Sequence, residues 1–300
     1  MNMFDKFFKK ESPILGVLGL GGGIARRAAA GGLGASGGTV TTHNGYTVHT
    51  FTYTGSPAPF TVDSGTGNAN ILLVAGGGSG TAWPSGNGGF GGGGGGGVVY
   101  IPETPTDSLL EPGTYTIYVG NGTNEGVAGS GEDSTITTSN TLGPITAKGG
   151  GRALSDGGSG GGRPSGHPGS NSATQPTQPG KSGTYGFGNP GGAMPGPQSP
   201  QYPGSGGGGA GGAGGTSGSG GATGGGGGSG KPYTDFGPWA PPTIGTVSIG
   251  GQSGNRNNIG SPGGGYGGGG GGGYEPGATL SGSPPTRMAG KAGVVVIAYL

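Results

Sequence analysis

Cysteine is absent from the 300 residues, charged residues make up only 8%, and no apolar stretch approaches the length of a membrane span. Each absence excludes something. Without cysteine there is no disulfide frame, so a folded state must rest on packing or assembly, and the compartment cannot be read from redox chemistry. Thirteen Lys and Arg against 12 Asp and Glu leave a net charge of +1. Neither a phosphate-binding field nor an acidic tail is present, which argues against nucleic acid as a partner. The same scarcity argues against simple disorder, because disordered chains usually stay soluble through high net charge.

What is there instead is glycine, 90 residues of it, including uninterrupted runs at Gly91–Gly97 and Gly267–Gly273. With 25 prolines and no strict Gly-X-Y period the chain is not a collagen. A backbone without side chains can pack against another almost at contact distance. Around the glycine lie strand signals: Gly45 to Thr54, Pro59 to Val62, Asn70 to Ala75, Val98 to Ile101, Tyr115 to Val119, Ser134 to Thr138 and Ile145 to Ala147. The first two read as a hairpin around Gly55-Ser56-Pro57. A last apolar strand, Gly293 to Leu300, follows the long glycine-rich stretch, so that stretch is expected to leave and re-enter one small β domain.

Glycine weakens helices and sheets, whereas the left-handed polyproline-type helix suits both Gly and Pro and directs its N–H and C=O groups outward. Stacked side by side, such helices can satisfy one another. The expected fold class is therefore mainly β: a small β-sandwich-like domain with a large insertion of stacked polyglycine II helices. Expected boundaries are residues 1–38, an N-terminal arm; 39–148, a β-rich domain completed by 293–300; and 149–292, the glycine region. In the arm, Phe4, Phe7 and Phe8 fall at helical spacing beside Lys6, Lys9 and Lys10, and Ile14 and Leu15 open a short apolar run. Glu11 before that run and Arg26-Arg27 after it argue against a secretory signal. A segment that cannot bury its own aromatics is expected to dock on a partner.

Several pieces taken in order carry a resemblance: Gly45-Tyr46-x-Val48-His49-x-Phe51, Pro59-Phe60-Thr61-Val62, Leu72-Leu73-Val74-Ala75-Gly76-Gly77-Gly78, Pro112-Gly113-Thr114-Tyr115-x-Ile117-x-Val119-Gly120, Thr146-Ala147-x-Gly149-Gly150-Gly151 and Gly293-Val294-Val295-Val296-Ile297-x-Tyr299. Over residues 39–300 the chain resembles the glycine-rich domain common in bacteriophage structural proteins. The resemblance implies a virion protein, exposed on the phage particle: a tail fibre or fibre-tip adhesin contacting a host glycan or outer-membrane protein. The arm would then attach it to other tail or capsid proteins through Phe4, Phe7, Phe8, Ile14 and Leu15, and assembly as a homo-oligomer is expected. A capsid decoration or head fibre, a non-phage ice-binding or wall protein, and a disordered matrix polymer are the alternatives.

Catalytic signals are weak. Gly19-Leu20-Gly21-Gly22-Gly23 lacks the Lys-Ser/Thr of a phosphate loop and any βαβ context. His43, His49, His167 and the scattered carboxylates form no convergent set. No enzyme, cofactor, metal or membrane insertion is expected. Receptor-binding candidates are the aromatics in Gly/Pro/Ser-rich surroundings: Trp83, Tyr185, Phe187, Tyr202, Tyr233, Phe236 and Trp239. Such rings offer large contact area at low entropic cost; the competing reading is that they wedge between glycine helices.

Overall fold

The computed structural model describes residues 32–81, 89–104, 106–195, 203–218, 224–254, 259–273 and 288–300. In chain order the strands are β1 (Gly34–Ser36), β2 (Thr39–His43), β3 (Tyr46–Thr52), β4 (Ala58–Ser64), β5 (Gly67–Asn68), β6 (Asn70–Val74), β7 (Val98–Ile101), β8 (Leu109–Leu110), β9 (Gly113–Tyr118), β10 (Ser134–Thr137), β11 (Ile145–Ala147), β12 (Gly186–Phe187), β13 (Lys231–Pro232), β14 (Thr246–Val247) and β15 (Val294–Tyr299). Among the described residues one short α-helix, α1, spans Lys181–Thr184, beside three 3-10 turns. The protein is mainly β. A five-stranded sheet has the order β1-β4-β9-β10-β11 and a six-stranded sheet the order β12-β7-β6-β15-β3-β2. The strand pairs within them are antiparallel.

The two sheets bury a shared core. Phe60, Val62, Tyr115 and Ile117 of the smaller sheet meet Phe51, Ile71, Leu73 and Ile297 of the larger. Phe60 is the hub, with ring centroids 5.1 Å from His49, 6.2 Å from Phe51 and 5.8 Å from Tyr115. The larger sheet is covered on its other face too, where Val48, Leu72, Val74, Val294 and Val296 pack against Phe236, Trp239, Ile244 and Val247. A strand buried on both faces has no polar side, which is why NILLV and VVVIAY read as unbroken apolar runs. Val294–Tyr299 lies between β6 and β3, so the end of the chain forms the middle of the sheet.

The expected hairpin between the first two strand signals is not there. β3 belongs to the six-stranded sheet and β4 to the five-stranded one. Both edges of β3 are already taken, by β2 and β15, so the chain crosses to the opposite sheet. A hairpin instead joins β2 and β3 through Asn44-Gly45, with φ of 48° and 87°. Asn-Gly is the pair that such a two-residue turn favours.

The glycine-rich segments form a bundle of extended chains above the sandwich. Gly91–Gly97 runs through its middle with a hydrogen-bond pattern that repeats every third residue. The N–H groups of Gly92 and Gly95 bond to Ser205 and Gly208, those of Gly93 and Gly96 to Gly270 and Gly267, and those of Gly94 and Gly97 to Gly151 and Lys148. The carbonyls turn the same way: Gly91, Gly94 and Gly97 accept from Thr81, Gly78 and Ala75, Gly92 and Gly95 from Gly162 and Ser159, and Gly93 from Gly251. The neighbouring segment 205–210 repeats the theme: Ser205 and Gly208 donate to Arg163 and Gly160, and Gly207 and Ala210 to Gly251 and Ser248. A sheet would show period two in a single plane; here the partners lie all round.

Close approach explains the glycine. A Cβ placed on Gly93 would fall within 3.0 Å of Gly78 O, and one on Gly91 would stand 2.8 Å from Gly162 O. The residues of this run are not in the left-handed region, so contact distance and not φ forbids a side chain. At three positions a serine hydroxyl joins the network: Ser205 Oγ accepts from Arg163 N–H at 2.7 Å, Ser79 Oγ accepts from Gly129 N–H at 3.0 Å, and Ser248 Oγ donates to Gly96 O.

The bundle's limits differ from the expected 149–292. It also includes 75–81, 91–97 and parts of 120–132, which leave and re-enter between β6 and β7 and between β9 and β10. Residues 231–247, inside the expected glycine region, are instead the apolar cap on the larger sheet.

Candidate functional site

The hydrogen bonds orient every segment of the bundle. At the sandwich end Ala75 N–H meets Gly97 O, Gly267 N–H meets Ala292 O, and Gly293 N–H meets Gly120 O. At the opposite end a second series is linked in turn: Gly273 N–H to Thr81 O, Thr81 N–H to Gly91 O, Gly254 N–H to Phe90 O, Ser253 N–H to Gly225 O, Gly225 N–H to Gly204 O, Ser205 N–H to Arg163 O and Met194 N–H to Gly169 O. The described ends flanking 82–88, 196–202, 219–223, 255–258 and 274–287 therefore gather at one far face. Gly32 sits at the other pole, beside Gly65, near the base of β4.

One turn of the far face is described in full. Arg163 donates from Nη1 to Pro168 O at 3.1 Å and from Nη2 to Ser170 O at 3.4 Å, bracing residues 163–170. Gly166 and Gly169 supply the left-handed bends, with φ of 82° and 102°. Ser165 ties this turn to the neighbouring segment, its N–H bonding Gly89 O at 3.0 Å and its Oγ accepting from Gly89 N–H at 2.9 Å. Buried Met194 accepts from Ser217 Oγ at 2.9 Å. The far face is thus held by main-chain and side-chain ties, with the network as its floor.

The five described receptor-binding candidates fall elsewhere. Phe236 and Trp239 are each 1% exposed, so neither ring presents a surface platform. Their Gly/Pro surroundings hid an apolar sheet face beneath them. Tyr100 pins both, with its ring 5.3 Å from Phe236 and 6.1 Å from Trp239, its hydroxyl donating to Phe236 O at 2.7 Å and accepting from Trp239 Nε1 at 3.3 Å. Tyr233 is half-buried against the same cluster. Phe187, also half-buried, lies in β12 with Lys231 Nζ 4.3 Å from its ring centroid, a cation–π contact that occupies one face. Tyr185 packs beside the sandwich core and donates to Asp107 Oδ2 at 2.6 Å, and that bond pushes its hydroxyl pKa up. These five rings are spread over the cap and flank of the sandwich. Trp83, Tyr202, Phe4, Phe7, Phe8, Ile14 and Leu15 lie outside the described residues.

Titratable groups are engaged in structure. His49 is buried between the sheets, its Nδ1 2.8 Å from Gly37 O and its Nε2 3.1 Å from Tyr299 Oη. A carbonyl only accepts, so Nδ1 carries the proton and Nε2 accepts from the tyrosine. Burial lowers its pKa. Tyr118 donates to Glu132 Oε2 at 2.6 Å, which pushes it up to about 12. Among the described residues no group of three or more His, Asp or Glu could hold a metal ion, and no described helix is long and apolar enough to cross a membrane.

A family model described as a glycine-rich domain matches residues 52–300. No curated protein matches the chain.

Proposed function

The chain belongs to the glycine-rich domain family, and from that premise we propose that it is a bacteriophage virion protein, a tail fibre or fibre-tip adhesin that contacts the host surface with the far face of its bundle. The observation that carries this reading is polarity. The described ends flanking five stretches of sequence gather at one pole, while Gly32, the first described residue, sits at the other. A chain held at its base can thus present several stretches at once from a stiff support. Stiffness lowers the ordering cost of binding.

The bundle is read as stacked polyglycine II helices. Partners that recur at every third residue, with bonds only to other segments, match a helix of three residues per turn with no internal bonds. At about 3.1 Å per residue the run Gly91–Gly97 spans roughly 22 Å. The arm expected over residues 1–38, of which Gly34–Ser36 form β1 of the smaller sheet, attaches the protein to other tail proteins, and the ligand is a host glycan or outer-membrane protein.

Competition and labelling test the reading together. Purified protein is expected to block adsorption of the phage to its host, and antibody against it to label the tail of intact particles. Labelling of the capsid shell would favour a decoration protein, and a failure to block adsorption would remove the adhesin. The helix reading has its own test in hydrogen exchange. Amides of 205–210 and 267–273 are expected to exchange as slowly as those of β6, and random-coil rates there would end it.

A further inference from the structure

Four strands stand at the edges of the two sheets, and three of them are closed or cut short. Beside β11, Ser182 Oγ accepts from Thr146 N–H at 2.9 Å and Gln175 Nε2 donates to Thr146 O at 3.2 Å, so side chains take the place of a further strand. β12 has only two residues. β1 has three and a register shift between Gly34 and Ala35. The fourth edge is different. β2 reads Thr-Val-Thr-Thr-His over five residues, of which Thr39 to Thr42 are all exposed, with Val40 at 53%. It carries no lysine, proline or bulge, the devices by which an edge is usually protected from pairing.

Its open groups follow from the hairpin. In a two-residue turn the closing pair, His43 and Tyr46, exchanges hydrogen bonds, and bonded pairs then alternate, at Thr41–Val48 and Thr39–Thr50. The N–H and C=O of Val40 and Thr42 consequently point away from the sheet. We propose that this edge joins two copies of the chain, β2 against β2, antiparallel and centred on Thr41. In that register Val40 of one copy stands opposite Thr42 of the second, so each outward residue both donates and accepts across the two-fold axis. The strand is uncharged, and no like charges oppose each other when it meets itself. Thr41 faces its own counterpart, and β-branched side chains line both faces of the join. The six-stranded sheets become one continuous sheet through both copies. The two bundles then point in opposite directions and both far faces stay open. This inference is independent of the adhesin reading, since it concerns the flank of the sandwich alone.

Sedimentation velocity of the full chain over a wide concentration range tests it, with Val40→Lys and Thr42→Pro as disrupting variants and Val127→Lys, an exposed position outside the strands, as control. The native chain and the control are expected to form a concentration-dependent dimer. Val40→Lys places a charge at the join and Thr42→Pro removes an outward N–H that the fold does not use, so both are expected to weaken the dimer at least about tenfold. Hydrogen exchange adds a site-specific reading: the Thr42 amide is slow in the native dimer and fast in Val40→Lys, while the Thr41 amide, bonded to β3, stays slow in both. A monomer at every concentration overturns the proposal. So does a dimer that survives both substitutions while the Thr42 amide exchanges fast.

Discussion

The sandwich and the glycine bundle solve the same problem with opposite materials. In the sandwich, side chains such as Phe60, Leu73 and Ile297 leave water, each contributing about 1.5–3 kcal/mol by burial. In the bundle there are few side chains to bury, and cohesion comes from main-chain hydrogen bonds, each worth about 0.5–1.5 kcal/mol net. Ordering one residue's backbone costs about 1–2 kcal/mol, and glycine lies at the upper end. Per residue, the bundle therefore stands near balance. What tips it is anchorage: its segments run directly from β6, into β7, from β9 and into β15, so the sandwich fixes their ends in advance. The two parts are expected to unfold together in one transition.

The largest expected effect breaks the sandwich. Phe60→Ala removes the ring that touches His49, Phe51 and Tyr115 and is expected to cost about 3–5 kcal/mol by the cavity it leaves. Urea denaturation checks this. If bundle and sandwich are one cooperative unit, the m-value stays that of the native chain; a lowered m-value would mean that one part unfolds without the other.

Next comes the bundle's own weak point. Gly93→Ala adds a single methyl, yet its carbon would fall within 3.0 Å of Gly78 O, and no flexible side chain is there to yield. A loss of about 1–3 kcal/mol is expected, the range for overpacking. A neutral outcome would mean that the segments slide apart at little cost, and the comparison with the sandwich would fail.

A titration sharpens the comparison, because the sandwich holds a buried histidine and the bundle's bonds do not titrate. The folded-state pKa of His49 lies below its ordinary 6.5. Its contribution is therefore fully present above pH 6.5 and is lost as the pH falls through the depressed folded value. Protonation would turn Nε2 from acceptor into donor against Tyr299 Oη. The urea midpoint of the native chain should fall with acidification more steeply than that of His49→Gln, which can keep both hydrogen bonds and does not titrate. Equal slopes would remove His49 as the cause.

How much of this was legible depended on which force wrote it. Apolar runs marked β6, β7 and β15 because burial on both faces leaves a sequence trace, and β-branched alternation marked β3, β9 and β10. The hairpin of β2 and β3 was missed although Asn44-Gly45 announces it, because the Thr-rich strand before it is exposed and lacks an apolar pattern. Trp239 and Phe236 read as surface rings because their neighbours are Gly and Pro, and their burial comes from a sheet distant in sequence. The far face left no trace in any single residue. It is defined by which segment meets which, and glycine, having no side chain, carries no register information.

The smallest expected effect is the most discriminating. Gly226 belongs to the same bundle as Gly93 and its carbonyl accepts from Gly215 N–H at 2.7 Å, yet a Cβ placed on it meets nothing within 4 Å. Its φ is not in the left-handed region. Alanine there restricts the unfolded chain without crowding the folded one, so Gly226→Ala should stabilise by about 0.4–1 kcal/mol. The same methyl thus raises stability at one glycine and lowers it at another. If the bundle were a loosely held coil, both substitutions would be nearly silent; if glycine were needed everywhere for its backbone freedom, both would destabilise. Opposite signs, measured by thermal and urea denaturation of the two variants, would mean that the contact distance between segments decides where glycine is required.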